Sequence, residues 1–409
     1  MAAEEEETHV FTDWAMETAV FPDWAMLDRM GRTHCHKDLE AARLVVSKNK
    51  TAARLRIDRG CSCYVSFTLA APEGVSYLNL HWPVGEGSDA VYALLRATDK
   101  DLVLFDISIP DRIRYMDAPP DLFIYTASAP SPLVQQHPRG STKRFLAHEF
   151  TIDILQLKAE HCYIVADLNV HLKKKGVSAE LFVFNSGANE WRSITKVLVD
   201  KLPDLWWTDD VFAFDGRFLC WVDYFSGVLL ADFSSALGFP ALHFVPFPGG
   251  DGYSEKLQIM PFLGGKENAK KEQMAKCLAE RFRRVSVSHG MMHFVRIDGW
   301  RPPRERIQWQ QQPLQKITVW TLDIGDGSKF KWKIHWGFNL DLLWAQDGFH
   351  ALDIPRCLPQ FPVVCANNPG ALCCLLRKDE LSRQPWMIMV DMNQEDLQPS
   401  TKYINQQPY

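Results

Sequence analysis

Phe212-Ala213-Phe214-Asp215-Gly216-Arg217-Phe218-Leu219-Cys220-Trp221-Val222-Asp223 reads as an apolar strand, a two-residue turn and a second apolar strand. Asp-Gly suits a tight hairpin because both central positions need positive φ, which these residues tolerate. A further apolar run, Gly227-Val228-Leu229-Leu230-Ala231-Asp232, follows directly and ends in an acid. The form recurs downstream. Residues 285–298 place His289-Gly290 at the turn and lead to Ile317-Thr318-Val319-Trp320-Thr321-Leu322-Asp323. Residues 363–376 place Asn368-Pro369-Gly370 at the bend and lead to Trp386-Met387-Ile388-Met389-Val390-Asp391. Leu181-Phe182-Val183-Phe184-Asn185 followed by Asn189-Glu190-Trp191 belongs to the same class.

A hairpin, an apolar strand closed by Asp or Asn, and a polar turn together make the signature of a propeller blade. One such sheet cannot bury both faces alone, and stacking against neighbours solves that problem. Upstream, short apolar runs at 55–57, 63–69, 76–81, 90–96, 102–107, 150–157 and 163–170 alternate with turn residues. Ala97-Thr98-Asp99-Lys100-Asp101 is a hairpin-like turn between two of them. Runs of four to eight residues with punctuation between them indicate an all-β, mainly antiparallel fold. The expected architecture is a degenerate β-propeller of roughly six to eight irregular blades, the number that fits this length at about 40–50 residues each.

Composition agrees. Apolar residues make up 46% of the 409, and the 14 Trp and 24 Phe favour pleated surfaces. A net charge of -5 gives no global attraction for a phosphate backbone, so nucleic acid is not an expected partner. No apolar window reaches membrane-spanning length, so no membrane association is expected. Met1-Ala2-Ala3 followed by Glu4 to Glu7 lacks the basic start and apolar stretch of a secretory signal. The ten cysteines are scattered and read as free thiols of a reducing compartment, so the expected location is intracellular, cytoplasmic or nuclear.

The start carries a duplication: Val10-Phe11-Thr12-Asp13-Trp14-Ala15-Met16 recurs as Val20-Phe21-Pro22-Asp23-Trp24-Ala25-Met26. Residues 1–20 are therefore an acidic leader expected to be disordered, 21–392 a single propeller-like domain, and 393–409 a C-terminal tail. Two insertions are expected in the domain. Residues 264–284 hold helix formers such as Met274, Ala275, Leu278 and Ala279 and many basic side chains. Residues 299–315 are Pro- and Gln-rich and read as an exposed loop.

Trp221-Val222-Asp223-Tyr224-Phe225-Ser226-Gly227-Val228-Leu229-Leu230-Ala231-Asp232 resembles the plant family called domain of unknown function 1618, expanded in grasses. The start at Phe21-Pro22-Asp23-Trp24, the run 317–322, Leu358-Pro359 with Phe361-Pro362, and 386–391 are similar as well. The resemblance implies no activity, because the shared residues look like folding residues. The chain departs from it in its duplicated start and at Val364-Cys365-Ala366.

Chemistry-bearing patterns are thin. Gly85-Glu86-Gly87-Ser88-Asp89-Ala90 fits a dinucleotide fingerprint, but no crossover helix follows, so it reads as a loop. His34-Cys35-His36 with Cys61-Ser62-Cys63 offers soft ligands at spacings that structural zinc sites do not use, so no metal or other cofactor is expected. There is no nucleophile elbow and no cysteine nucleophile signature. Acids at strand ends (Asp209, Asp210, Asp215, Asp223, Asp232, Asp298, Asp391) are expected to cap their own turns. Adjacent Trp206 and Trp207 must send one ring outward if their segment is a strand. Trp206, Trp207, Trp300 and Arg301 are thus the candidate partner-binding residues. The expected function is a non-enzymatic protein-interaction scaffold. The rival is a hydrolase or carbohydrate-binding propeller that uses carboxylates at a central channel.

Overall fold

The structure, a computed structural model, describes residues 26–57, 61–70, 75–83, 91–108, 121–127, 133–136, 151–158, 162–173, 176–197, 202–203, 206–234, 240–249, 279–299, 315–325, 329–346, 354–377, 385–397 and 401–402. The leader 1–20, the glycine-rich stretch 85–90, Trp300 and Arg301 lie outside these residues. So does most of each expected insertion.

Six sheets appear among the described residues, mainly antiparallel. The first holds β1 (Met26–Leu27), β2 (Arg32–His36), β3 (Ala53–Arg56), β4 (Ser62–Thr68) and β5 (Val75–Pro83), with helix α1 (Leu39–Val46) between β2 and β3. The second is β6 (Tyr92–Asp99), β7 (Leu102–Ser108), β8 (Asp121–Thr126) and β9 (Leu133–Gln136). The third is β10 (Ile152–Gln156), β11 (Tyr163–Lys173), β12 (Gly176–Asn185) and β13 (Glu190–Val197). The fourth is β14 (Asp210–Phe214), β15 (Phe218–Asp223), β16 (Gly227–Asp232) and β17 (Ala241–Pro246). The fifth is β18 (Arg283–Ser288), β19 (Met291–Asp298), β20 (Lys316–Ile324) and β21 (Phe330–Asn339), followed by α2 (Leu340–Trp344). The sixth is β22 (Gln360–Cys365), β23 (Asn368–Leu376) and β24 (Trp386–Asp391), with β25 (Asp396–Leu397) and β26 (Thr401–Lys402) both on β24.

Sheets two to five are simple meanders of four strands in chain order, the blade form. The chain divides into two compact units, 1–95 with 105–137 and 96–104 with 138–409, where the sequence suggested one domain over 21–392. Strand pairing also runs past 392, because the turn after Asp391 returns β25 and β26 to β24.

In the second unit the periodicity of two explains the packing. Leu219 and Trp221 of β15 join Leu229 and Ala231 of β16 in a core shared with the third sheet. Their neighbours Phe218, Cys220, Val222, Val228 and Leu230 point the other way, into a core shared with the fifth sheet. Phe294 and Trp320 face that same core, while Val295, Ile297, Ile317 and Val319 face the sixth sheet with Val364, Leu372, Ile388 and Val390. Strands buried on both faces must be nearly continuous apolar runs, which is what these segments are. Each fully buried large side chain contributes roughly 1.5–3 kcal/mol.

The hairpins of the repeat form where expected. Asp215 and Gly216 adopt φ 56° and 58°, and His289 and Gly290 adopt 48° and 73°, the double positive-φ turn. The third bend differs. Cys365 pairs with Asn368, so Ala366-Asn367 makes the turn and Pro369-Gly370 sits inside β23 at a register irregularity. Proline lacks the N–H of a regular ladder, and a bulge is where a strand tolerates it.

The first sheet departs from the blade form. β1 and β2 both lie parallel to β5. α1 is a helix without counterpart in the sequence reading, although Asp38 caps it by accepting the Ala41 N–H at 2.8 Å. Of the expected helix over 264–284, residues 279–282 are helical and β18 begins at Arg283.

Candidate functional site

Residues 206–210 lead into β14, and the turn 223–226 joins β15 to β16. Trp206 is 7% exposed and packs edge-on against Phe244 with ring centroids 6.0 Å apart, inside the core between the third and fourth sheets. Its indole N–H donates to Thr208 Oγ1 at 3.0 Å, which satisfies the buried polar end of the ring. Trp207 is half-buried. Its backbone N–H donates to Asp223 Oδ2 at 3.1 Å. Of the two adjacent residues Trp206 is buried and Trp207 keeps a share of the surface.

Asp223 is fully buried. Oδ1 accepts the Phe225 N–H at 3.0 Å and Oδ2 accepts the Ser226 hydroxyl at 3.0 Å. One carboxylate thus folds its own turn and holds the Trp207 backbone. Asp209 Oδ2 accepts the Tyr224 N–H at 2.8 Å, and Asp210 Oδ2 accepts the Tyr224 hydroxyl at 3.0 Å. The Arg284 guanidinium stands 3.6 Å from Asp210, and the Arg283 side chain donates to the Tyr224 carbonyl at 3.1 Å. Arg283 also lies 5.0 Å from the Phe225 ring centroid, a cation–π contact. Burial pushes the Tyr224 phenol well above its ordinary value, and the Asp210 charge adds to the effect. This is a braced platform beside an aromatic side chain.

The remaining strand-end acids are engaged as well. Asp215 pairs with Lys158, and Asp232 takes Arg217 in two bonds and the Ser234 N–H at 2.8 Å. Asp298 accepts from Arg296 at 2.7 Å, and Asp391 accepts the N–H groups of Asn393 and Gln394 at 2.8 and 3.1 Å. Asp232 and Asp391 cap their own turns as expected, whereas the bonds of Asp215 and Asp298 go to basic side chains instead.

A different acid stands out that the sequence did not single out. Asp167, on β11, is fully buried, accepts from Thr151 at one oxygen, and has no hydrogen-bond partner at Oδ2 among the described residues. Burial holds its carboxyl up to about 6, against the lowering effect of the Thr151 and Leu168 hydrogen bonds. Nothing in an apolar run marks a single Asp as buried rather than outward, so no local signal could have found it.

His34 and His36 meet His81 of β5, their rings stacking at centroid distances of 5.2 and 5.3 Å. His36 Nε2 lies 3.1 Å from His81 Nδ1, Ser66 Oγ lies 2.9 Å from His81 Nε2, and His34 Nε2 lies 3.2 Å from Asn79 Oδ1. Burial and the two neighbouring imidazoles lower His81 to about 4. Among the described residues no group of three or more His, Cys, Asp or Glu side chains is arranged to hold a metal ion. Nor does any described helix have the length and apolarity to cross a membrane.

Fold and site together define an all-β protein of propeller-type sheets. Residues 221–373 match the family model described as "Protein of unknown function (DUF1618)", so the resemblance to this family holds across that part of the chain. A comparison with curated proteins finds no match. Among solved structures, the chain is similar to the WD40 domain of SCAP from fission yeast, at 9% identity and a TM-score of 0.32, covering 87% of this chain and 77% of that one. It is also similar to a chain of the complex of the fission yeast SREBP-SCAP binding domains, at 11% identity and a TM-score of 0.29, covering 81% and 79%.

Proposed function

We propose that the protein is a non-enzymatic interaction scaffold whose partner is another protein. In this reading Trp207 is the anchor among the described residues, and Trp300 and Arg301 extend the same docking role. The observation that carries the reading is the bond from the Trp207 backbone to the buried Asp223. A half-buried tryptophan whose backbone is held on a sheet loses little backbone freedom on binding, which suits an interface anchor. The strand-end acids support the scaffold over the hydrolase, since they are already engaged in turns and ion pairs. An intracellular, cytoplasmic or nuclear setting goes with this reading.

The test compares affinity capture by the wild-type protein and by Trp207→Ala, Trp300→Ala and Arg301→Ala, with co-purifying proteins quantified by mass spectrometry. A specific partner lost from Trp207→Ala while the melting temperature stays unchanged supports docking. Identical capture by all three variants would sink it.

A further inference from the structure

Cys365 and Cys373 face each other on the sixth sheet with their sulfurs 3.2 Å apart. Both are free thiols and both are half-buried, whereas Cys374, next along β23, points into the core. The register explains the approach. Cys373 lies directly opposite Val363, so Cys365 belongs to the same face two residues on. The ladder then slips between Val364 and Cys365, and a bulge of this kind re-aims the side chain at the slip. The neighbouring hairpin holds the bulge in place. Ser288 Oγ donates to the Cys365 and Ala366 carbonyls at 2.7 and 3.1 Å, and the Val364 N–H donates to Ser286 Oγ at 3.3 Å.

We propose that Cys365 and Cys373 form an oxidative modification site: a closely apposed dithiol that a peroxide converts into an interstrand disulfide across the β22–β23 hairpin. Two sulfurs already in contact need only a small torsional adjustment to bond. Cys365 is the attacking sulfur. Its thiol is lowered to about 7 because the Cys373 S–H donates to its thiolate, and that same contact pushes the Cys373 thiol up. The Cys365 thiolate attacks one peroxide oxygen, the O–O bond breaks, and the leaving oxygen takes a proton and departs as water or an alcohol. The resulting Cys365 sulfenic acid is then attacked by the Cys373 sulfur. The S–O bond breaks, water leaves with the Cys373 proton, and the S–S bond forms. The two thiols supply two electrons and the peroxide accepts them.

The test treats the full-length reduced protein with hydrogen peroxide and follows the peptide spanning 357–377 by mass spectrometry. The expected result in the wild type is a loss of two hydrogens from that peptide, reversed by a thiol reductant. Cys373→Ser should lose this change and instead trap a sulfenic acid at Cys365 with dimedone, while Cys374→Ser should behave like the wild type. The proposal is overturned if the wild-type peptide gains oxygen atoms without losing two hydrogens, or if the loss persists in Cys373→Ser. Differential alkylation of the wild type alone decides the matter if a variant fails to fold. Cys365 and Cys373 must leave the labelled pool together under peroxide while Cys374 does not, and unchanged labelling of the pair refutes the site.

Discussion

The buried carboxylate of Asp223 accepts the backbone N–H of Trp207 at 3.1 Å while also closing its own turn through Phe225 and Ser226. Replacing Asp223 with Ala would leave several donors in the interior without acceptors. The expected cost is about 2–4 kcal/mol, read from the midpoint of urea unfolding, since each bond to a charged group is worth about 1.5–3 kcal/mol. Asp298→Ala, at a more exposed ion pair, should cost less than about 1 kcal/mol. Equal costs at the two positions would mean that Asp223 does not organise the turn.

The adjacent tryptophans should separate cleanly. Trp206→Ala empties a place in the core beside Phe244 and should destabilise by about 3–5 kcal/mol. Trp207→Ala should cost under about 1 kcal/mol because the residue is only partly buried. Thermal melts of the two variants check this, and the reverse order would show the rings to be misassigned.

Gly227 opens β16 opposite Pro246. A Cβ placed there would sit 2.3 Å from the Val245 carbonyl oxygen, a backbone atom that cannot swing aside. Gly227→Ala should therefore cost more than about 2 kcal/mol and speed amide exchange along β16 and β17. A variant with wild-type stability and protection would show that β17 can shift freely.

Asp167 and His81 should tilt stability in opposite directions with pH. The folded protein binds the Asp167 proton more tightly than the unfolded chain, holding the group up to about 6. Between roughly pH 4 and 6 stability from this group therefore falls as pH rises, and above that range the penalty is complete. Asp167→Asn should stabilise the protein at neutral pH by on the order of 2 kcal/mol, with the gain vanishing near pH 4. His81, lowered to about 4, binds its proton less well folded than unfolded. Its contribution is complete above roughly pH 6.5 and is lost as pH falls toward 4. His81→Gln should accordingly flatten the acid limb. Melting temperatures across this range decide both, and a constant offset from wild type at every pH would refute either assignment.

The sequence was most legible where a local rule was sufficient. Asp215-Gly216 and His289-Gly290 announce positive-φ turns by residue type alone, and the runs beside them alternate between two cores, as their uninterrupted apolarity suggests. Legibility failed where the partner is distant. Nothing in Arg32 to His36 says that the strand pairs in parallel with residues more than forty positions away, so the meeting of His36 with His81 could not be foreseen. Asn368-Pro369-Gly370 has the composition of a bend, yet a bulge absorbs it within β23. The helix α1 did leave a signal, Asp38 followed by Leu39-Glu40-Ala41-Ala42, and it was masked by the strand-rich surroundings.

The parallel placement of β1 and β2 has a consequence for how the polypeptide reaches its final form. Residues 26–36 leave the ribosome well before Val75–Pro83, and Gly31 and Arg29 additionally bond to Ala93 and Leu95, which arrive later still. Such distant closure is entropically slow compared with making a hairpin. The segment therefore stays unpaired until β5, and for Arg29 and Gly31 the start of β6, have followed it.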